Sequence, residues 1–243
     1  VLPPDANEQM AEVVRVFARQ VEHRSPTRVV TRGEAPLTIT LALDPDIGPD
    51  GFRIRDLTPG NIDLAGRNER GVLYGLGKLL RASRYDQGGF TPGPWRGASV
   101  PRKPVRGIYF ATHFHNFYHD APTADIQRYV EELGLWGFNA LMVWYDMHHF
   151  NGADDPAAVA FRRHLHGILA AARRIGLDVG VGVIANEAYG NSPPELRADP
   201  SARRGGWHDC AVCPSKPGGM DYILGVLGGE FDWVAAKRTG GRQ

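Results

Sequence analysis

Residues 105–145 read VRGIYFATHFHNFYHDAPTADIQRYVEELGLWGFNALMVWY, and the periodicity of this stretch decides the fold class. Val105–Thr112 is a mostly apolar run of strand length. Thr123 can cap a helix in which Ile126, Tyr129, Val130 and Leu133 share a face, and Gly134 and Gly137 stop it. Ala140–Tyr145 is a second apolar run. The rhythm then repeats. Asp155-Pro156 offers an N-cap with proline at the first helical position; Phe161, Leu165, Ile168 and Leu169 carry the stripe; Gly176 ends the helix. Leu177–Ala185 is a third strand. Strand, helix, strand, helix, strand at about 35 residues per unit predicts an α/β fold with a parallel sheet buried on both faces. An open doubly wound sheet and a (β/α)8 barrel both satisfy it.

Upstream the pattern differs. Met10, Val13, Val14, Phe17 and Val21 recur at helical spacing after a candidate N-cap at Asp5, and Ser25-Pro26 ends that helix. Short strands are predicted at Arg28–Thr31 and Leu37–Leu43. Two half-buried strands around Phe52–Arg55 and Ile62–Ala65 are joined by Thr58-Pro59-Gly60. Val72, Leu73, Leu76, Leu79 and Leu80 mark a second amphipathic helix. Helix, strands, helix suggests a small α+β layer. Residues 84–104, rich in Gly and Pro, read as a linker without regular structure, which places a domain boundary near residue 97. The expected organisation is therefore an α+β accessory domain over 1–97 and a partial (β/α)8 barrel, the TIM-barrel fold, over 98–243.

Composition excludes several classes. Lys+Arg number 28 against Asp+Glu 27, so no basic excess suggests a nucleic-acid partner. The longest apolar stretches, such as Val179–Ala185, are far short of the roughly 20 residues a membrane helix needs. No basic n-region or apolar h-region opens the chain at Val1, and the missing initiator Met is read as a trimmed or partial chain. Two cysteines exclude a disulfide scaffold.

In either parallel architecture the chemistry collects at the carboxyl ends of the strands. The three ends here run into Thr112-His113-Phe114-His115-Asn116-Phe117-Tyr118-His119, Trp144-Tyr145-Asp146-Met147-His148-His149 and Asn186-Glu187-Ala188-Tyr189. Aromatic rings beside planar polar groups suit a polyhydroxylated ligand, whose C–H faces stack while its hydroxyls pair. The expected sugar contacts are His113, Trp144, Asp146, His149, Asn186 and Glu187, with Glu187 and Asp146 the candidate catalytic carboxylates. His113-x-His115 has the spacing of two metal ligands on one strand face, as in metal-dependent hydrolases of the amidohydrolase type. Cys210-x-x-Cys213 after His208 lacks a second Cys pair and reads as two loop cysteines. Gly180-x-Gly182-x-x-Ala185 lies inside a strand pattern with no helix start behind it, so it is not a dinucleotide fingerprint. No cofactor or metal is required by the sugar-binding reading.

Two phrases carry a resemblance. Ile62-x-Leu64-x-Gly66 with Arg70-Gly71-Val72-Leu73-Tyr74-Gly75, and Pro104-Val105-Arg106-Gly107-Ile108-Tyr109, together resemble glycoside hydrolases of the α-glucuronidase and β-N-acetylhexosaminidase groups. The first looks like the strand-then-helix signature of their accessory domain, the second like the approach to the first barrel strand. The resemblance implies hydrolysis of an oligosaccharide or polysaccharide and a periplasmic or extracellular setting; the residues alone leave the compartment unknown. Hexosaminidases of this type carry an Asp and a sugar-binding Arg near the end of strand one, where this chain has Ala111-Thr112-His113-Phe114, which tilts the expectation toward an α-glucuronidase-like relative. A metal-dependent hydrolase using His113 and His115, or a non-catalytic carbohydrate-binding module, are the alternatives. A complete barrel takes about 250 residues, so residues 105–243 leave room for just over three units. Pro214–Asp232 is expected to be a helix, Phe231–Ala236 to begin a fourth strand, and the chain to be a fragment lacking the general acid. An uncovered barrel edge would invite self-association.

Overall fold

A computed structural model of the chain describes residues 1–3, 6–199 and 211–235. It is a mixed α/β structure that divides into two compact units. The first comprises Val1–Ile108, Ala124–Leu141 and Ala170–Val179, and the second Tyr109–Thr123, Met142–Leu169 and Gly180–Gln243.

The first unit opens with α1 (Glu8–Arg24), capped by the Asn7 side chain, which accepts from the Met10 amide at 2.9 Å; Asp5 lies outside the described residues. Its buried stripe is Met10, Val13, Val16, Phe17 and Val21, so Val16 takes the place expected of Val14. Strands β1 (Thr38–Leu43), β2 (Phe52–Thr58) and β3 (Asn61–Gly66) form a sheet with β3 at its centre, parallel to β1 and antiparallel to β2. The central position explains why Ile62, Leu64 and Ala65 are among the most buried residues. Helix α2 (Glu69–Ala82) packs Val72, Leu73, Leu76, Leu79 and Leu80 into this core, its N-terminus capped by Asn68.

Two expectations fail here. Arg28–Thr31 forms no strand. Residues 84–104 are not structureless: β4 (Arg84–Asp86) and β5 (Gly89–Thr91) form a hairpin, and β6 (Gly97–Ser99) pairs antiparallel with β2 as the outer strand of the sheet. Pro92 and Pro94 fall between β5 and β6, and Pro101 and Pro104 after β6, where they remove no ladder hydrogen bond.

Strands β7 (Gly107–Phe110), β8 (Ala140–Trp144) and β9 (Asp178–Gly182) form a sheet in that order. They run parallel: strand starts bond to starts (Asn139 N to Arg106 O, 3.1 Å; Asp178 N to Asn139 O, 2.9 Å) and ends to ends (Tyr145 N to Gly182 O, 3.0 Å). Helix α3 (Phe117–Asp120) and α4 (Thr123–Leu135) connect β7 to β8; α5 (Pro156–Arg174) connects β8 to β9. Asp155 accepts from the Ala157 amide at 2.9 Å, as its N-cap reading requires. Burial on both strand faces is not found. In β8, Leu141 and Val143 are buried while Met142 is 40% exposed, and Tyr109 in β7 is 41% exposed. One face is packed and the other is open.

In the second unit, Ala188, Val212 and Ile223 make a small core with Leu196, Tyr222 and Leu227 against it. Helix α6 (Gly219–Ala235) covers residues expected to open a fourth strand. Ile223 and Leu227, four residues apart, face that core from the helix, so helix period overrides the short apolar run. Among the described residues no helix is long and apolar enough to cross a membrane.

Candidate functional site

The carboxyl ends of β7, β8 and β9 meet in the second unit. Thr112, fully buried, fixes the first loop to the second strand end: its hydroxyl donates to the Trp144 carbonyl at 2.5 Å and accepts the Trp144 amide at 2.8 Å. The Trp144 indole lies against Gly182, where a Cβ would come within 2.4 Å of the ring. That close approach accounts for one glycine of the Gly180-x-Gly182 pair. The indole N–H donates to Asp146, which is only 6% exposed.

Beyond Trp144 the chain makes a 3-10 turn, Met147–His149. The turn aims the His148 amide at Glu187 Oε1 (3.0 Å), and the His148 Nδ1 bonds to the same oxygen. Glu187 is 4% exposed, and its Oε2 is buried with no hydrogen-bond partner among the described residues. Burial pushes the Glu187 pKa up and the charge of Asp146 adds to this; the two bonds from His148 oppose it without prevailing. The carboxyl is thus biased toward its protonated form, as a general acid requires. Tyr145 and Tyr189, both buried, pair through their hydroxyls at 3.1 Å beneath this layer, and Arg162 donates to Tyr189 at 2.8 Å.

This shift sets a pH dependence. Glu187 holds its proton in the folded chain at pH values where the unfolded chain, titrating near 4.5, has lost it. Over that window the native state binds more protons, so stability falls as pH rises from below 4.5 through the folded value. Glu187→Gln cannot titrate. Thermal midpoints measured from pH 4 to 8 should show the variant gaining on the wild type as pH rises through the window; a constant difference would remove the shifted carboxyl.

His113, Trp144, Asp146, His149 and Glu187 all come to the strand ends. The His113 ring sits 5.3 Å from the Trp144 ring, and its Nδ1 lies 3.1 Å from the Tyr109 hydroxyl. Asn186 is used differently: its carbonyl accepts the Val212 amide at 2.9 Å and its side chain reaches the Val212 carbonyl at 3.4 Å, clamping the loop to the segment after residue 210. The expected metal pair does not form. Strand β7 ends at Phe110 and the chain turns, Phe114 N bonding to Ala111 O at 3.2 Å, so strand alternation no longer aligns His113 with His115. His115 turns instead to His119 (ring centres 4.4 Å apart) and His149 (6.4 Å). Burial and the neighbouring His148 lower the His149 pKa. Of the cysteine motif, His208 and Cys210 lie outside the described residues and Cys213 is half-buried. His148 and Thr112 were not singled out from the sequence; the signal for His148 was its place two residues after Asp146.

No protein-family profile matches the chain, and no curated protein does. Solved structures do. A GH20 exo-β-N-acetylglucosaminidase from Vibrio harveyi is 12% identical, with a TM-score of 0.70 over 96% of this chain and 41% of its own. The GH20 β-N-acetylhexosaminidase of Streptomyces coelicolor A3(2) is 16% identical, with a TM-score of 0.71 over 96% of this chain and 52% of its own. For the β-N-acetylhexosaminidase of Bacteroides fragilis the figures are 15%, 0.67, 96% and 50%. The chain therefore spans about half or less of the length of these neighbours, and at such identities the likeness is one of fold.

Proposed function

We propose that the chain is the accessory domain (1–97) and the opening strand–helix units of a TIM-barrel domain (98–243) of a glycoside hydrolase acting on oligosaccharide. The observation that carries this reading is the Trp144–Asp146–His148–Glu187 group at the strand ends: an aromatic face beside two buried carboxyls, one biased toward holding a proton. Glycoside hydrolysis needs such an acid, with either a second carboxylate or the sugar's own acetamido group as partner. In this reading Glu187 and Asp146 do the proton and charge work. His113, Trp144, His149 and Asn186 contact the sugar. The open face bearing Tyr109 and Met142 is the barrel interior, covered by further strands or, in this chain alone, by self-association. Neighbours named as β-N-acetylhexosaminidases favour an N-acetylhexosamine substrate. The Ala111–Phe114 stretch favours an α-glucuronidase-like choice.

The test uses the chain dialysed against a chelator. Trp144 fluorescence should respond to N-acetylglucosamine or to glucuronic acid, and whichever binds names the sugar class. Trp144→Ala should weaken that binding about tenfold or more. No aryl glycoside should be turned over. Failure of both sugars to bind would sink the glycosidase reading, and turnover by a folded monomer would sink the fragment reading.

A further inference from the structure

We infer that Asp146, His148 and His149 form a binding site for one divalent transition metal of the zinc class. One ligating atom from each of the three lies within 4.8 Å of the other two. Ligand atoms on a tetrahedral zinc ion stand roughly 3.3 Å apart, so a small side-chain adjustment closes the set. Two imidazoles and a carboxylate are a donor set zinc takes, leaving the fourth position for water.

What distinguishes this group from a chance cluster is the way its members are held. Ligating histidines ordinarily donate their other ring N–H to a carboxylate or a backbone carbonyl, which fixes tautomer and ring orientation. Glu187 Oε1 already accepts the His148 amide, and in the tautomer where it also accepts from the His148 Nδ1 the ring's lone pair lies on Nε2. The bond from the amide locks the turn that carries both histidines. Asp146 is oriented by the Trp144 indole. His149 is exposed, and its ring is 4.3 Å from that of His148. Two ligands are therefore preset and the third is able to move. A second group, His115, His119 and Asp120, adjoins the first. His119 is set in the same manner, its Nδ1 donating to the Thr112 carbonyl at 2.7 Å. Asp120 and His115 are exposed, however, and no hydrogen bond among the described residues orients either side chain.

The inference does not depend on the glycosidase reading, because the probe is the metal alone. The full chain is dialysed against a chelator, freed of it and titrated calorimetrically with zinc chloride; cobalt(II) is added in parallel and followed by its visible bands. One equivalent should bind. His149→Ala, at an exposed position, should lower the affinity by about tenfold or more, and Glu187→Gln by about tenfold through the loss of ring orientation. His23→Ala, an exposed histidine on α1, should change nothing. Absence of zinc binding by the folded chain would overturn the site. So would binding that survives His149→Ala, or binding that is lost only with His115→Ala or Cys213→Ser. Sugar binding under chelator with no zinc binding would keep the glycosidase reading and remove this one.

Discussion

Gly77→Ala should destabilise the chain by about 3 kcal/mol or more, although glycine to alanine inside a helix ordinarily stabilises by up to about 1 kcal/mol. The reversal comes from a backbone contact. A Cβ on Gly77 would stand 1.9 Å from the Leu135 carbonyl oxygen and 2.7 Å from its carbon. That carbonyl belongs to the last turn of α4, where main-chain acceptors lack partners within the helix. Arg81, one turn after Gly77 on α2, supplies the partner, its guanidinium donating to Leu135 O at 2.6 Å and lying over the Trp136 ring. Gly77 and Arg81 thus let α2 approach the end of α4 closely enough to cap it. A methyl group there forces the helices apart and breaks the cap with the contact. Gly225→Ala provides the contrast: it is also helical, has nothing within 4 Å of the added atom, and should be neutral or slightly stabilising. Urea unfolding followed by tryptophan fluorescence reads both. A Gly77→Ala midpoint equal to or above that of the wild type would contradict the close approach.

The helices and central strands were legible because each repeats a period over several buried residues: Val72, Leu73, Leu76 and Leu79 in α2, Ile62 and Leu64 in β3. Strands of three residues carry no such period. The hairpin of β4 and β5 and the outer strand β6 were hidden by the prolines around them, and pairing with β2, not local propensity, makes β6 a strand. At the strand ends, position alone brought out Trp144, Asp146 and Glu187, since parallel topology fixes where loops converge. Orientation was not legible. Whether His113 pairs with His115 depends on where β7 stops, and it stops at Phe110. Whether Glu187 is a surface carboxylate or a buried acid depends on the Met147–His149 turn, 39 residues away, presenting an amide and an imidazole to it. These are tertiary facts, and no spacing in the chain encodes them.

Arg106 carries the second large effect, and its partners explain why an arginine precedes β7. The guanidinium donates to the carbonyls of Gly137 (2.7 Å) and Lys103 (2.7 Å), to Asp50 Oδ2 (2.9 Å) and to the Tyr74 hydroxyl (3.0 Å), while the Arg106 amide donates to Asn139 Oδ1. The planar fork spans directions that no other side chain reaches together. Asp50, at φ +53°, occupies the left-handed region that a non-glycine residue adopts at a cost, and its carboxylate is 12% exposed. Burial would raise the Asp50 pKa, but the bonds from Asn68 and Arg106 and the charges of Arg70 and Arg106 outweigh it and hold the group below its ordinary value. Arg106→Ala removes one of these bonds together with one of these charges and leaves three other acceptors short of a donor. The expected loss is about 3 kcal/mol; Arg106→Lys, keeping the charge without the fork, should recover only part of it. The sign of the pH dependence follows from the depressed carboxylate. In the wild type the pair's contribution is complete above the unfolded value of 3.8 and is lost as pH falls through the lower folded value. The gap in unfolding free energy between wild type and Arg106→Ala should therefore be widest near neutrality and narrow under acid, as protonated Asp50 no longer needs a cation. Urea unfolding at pH 7, 4 and 3 decides it: a gap that does not change with pH would assign the role of Arg106 to its carbonyl contacts alone.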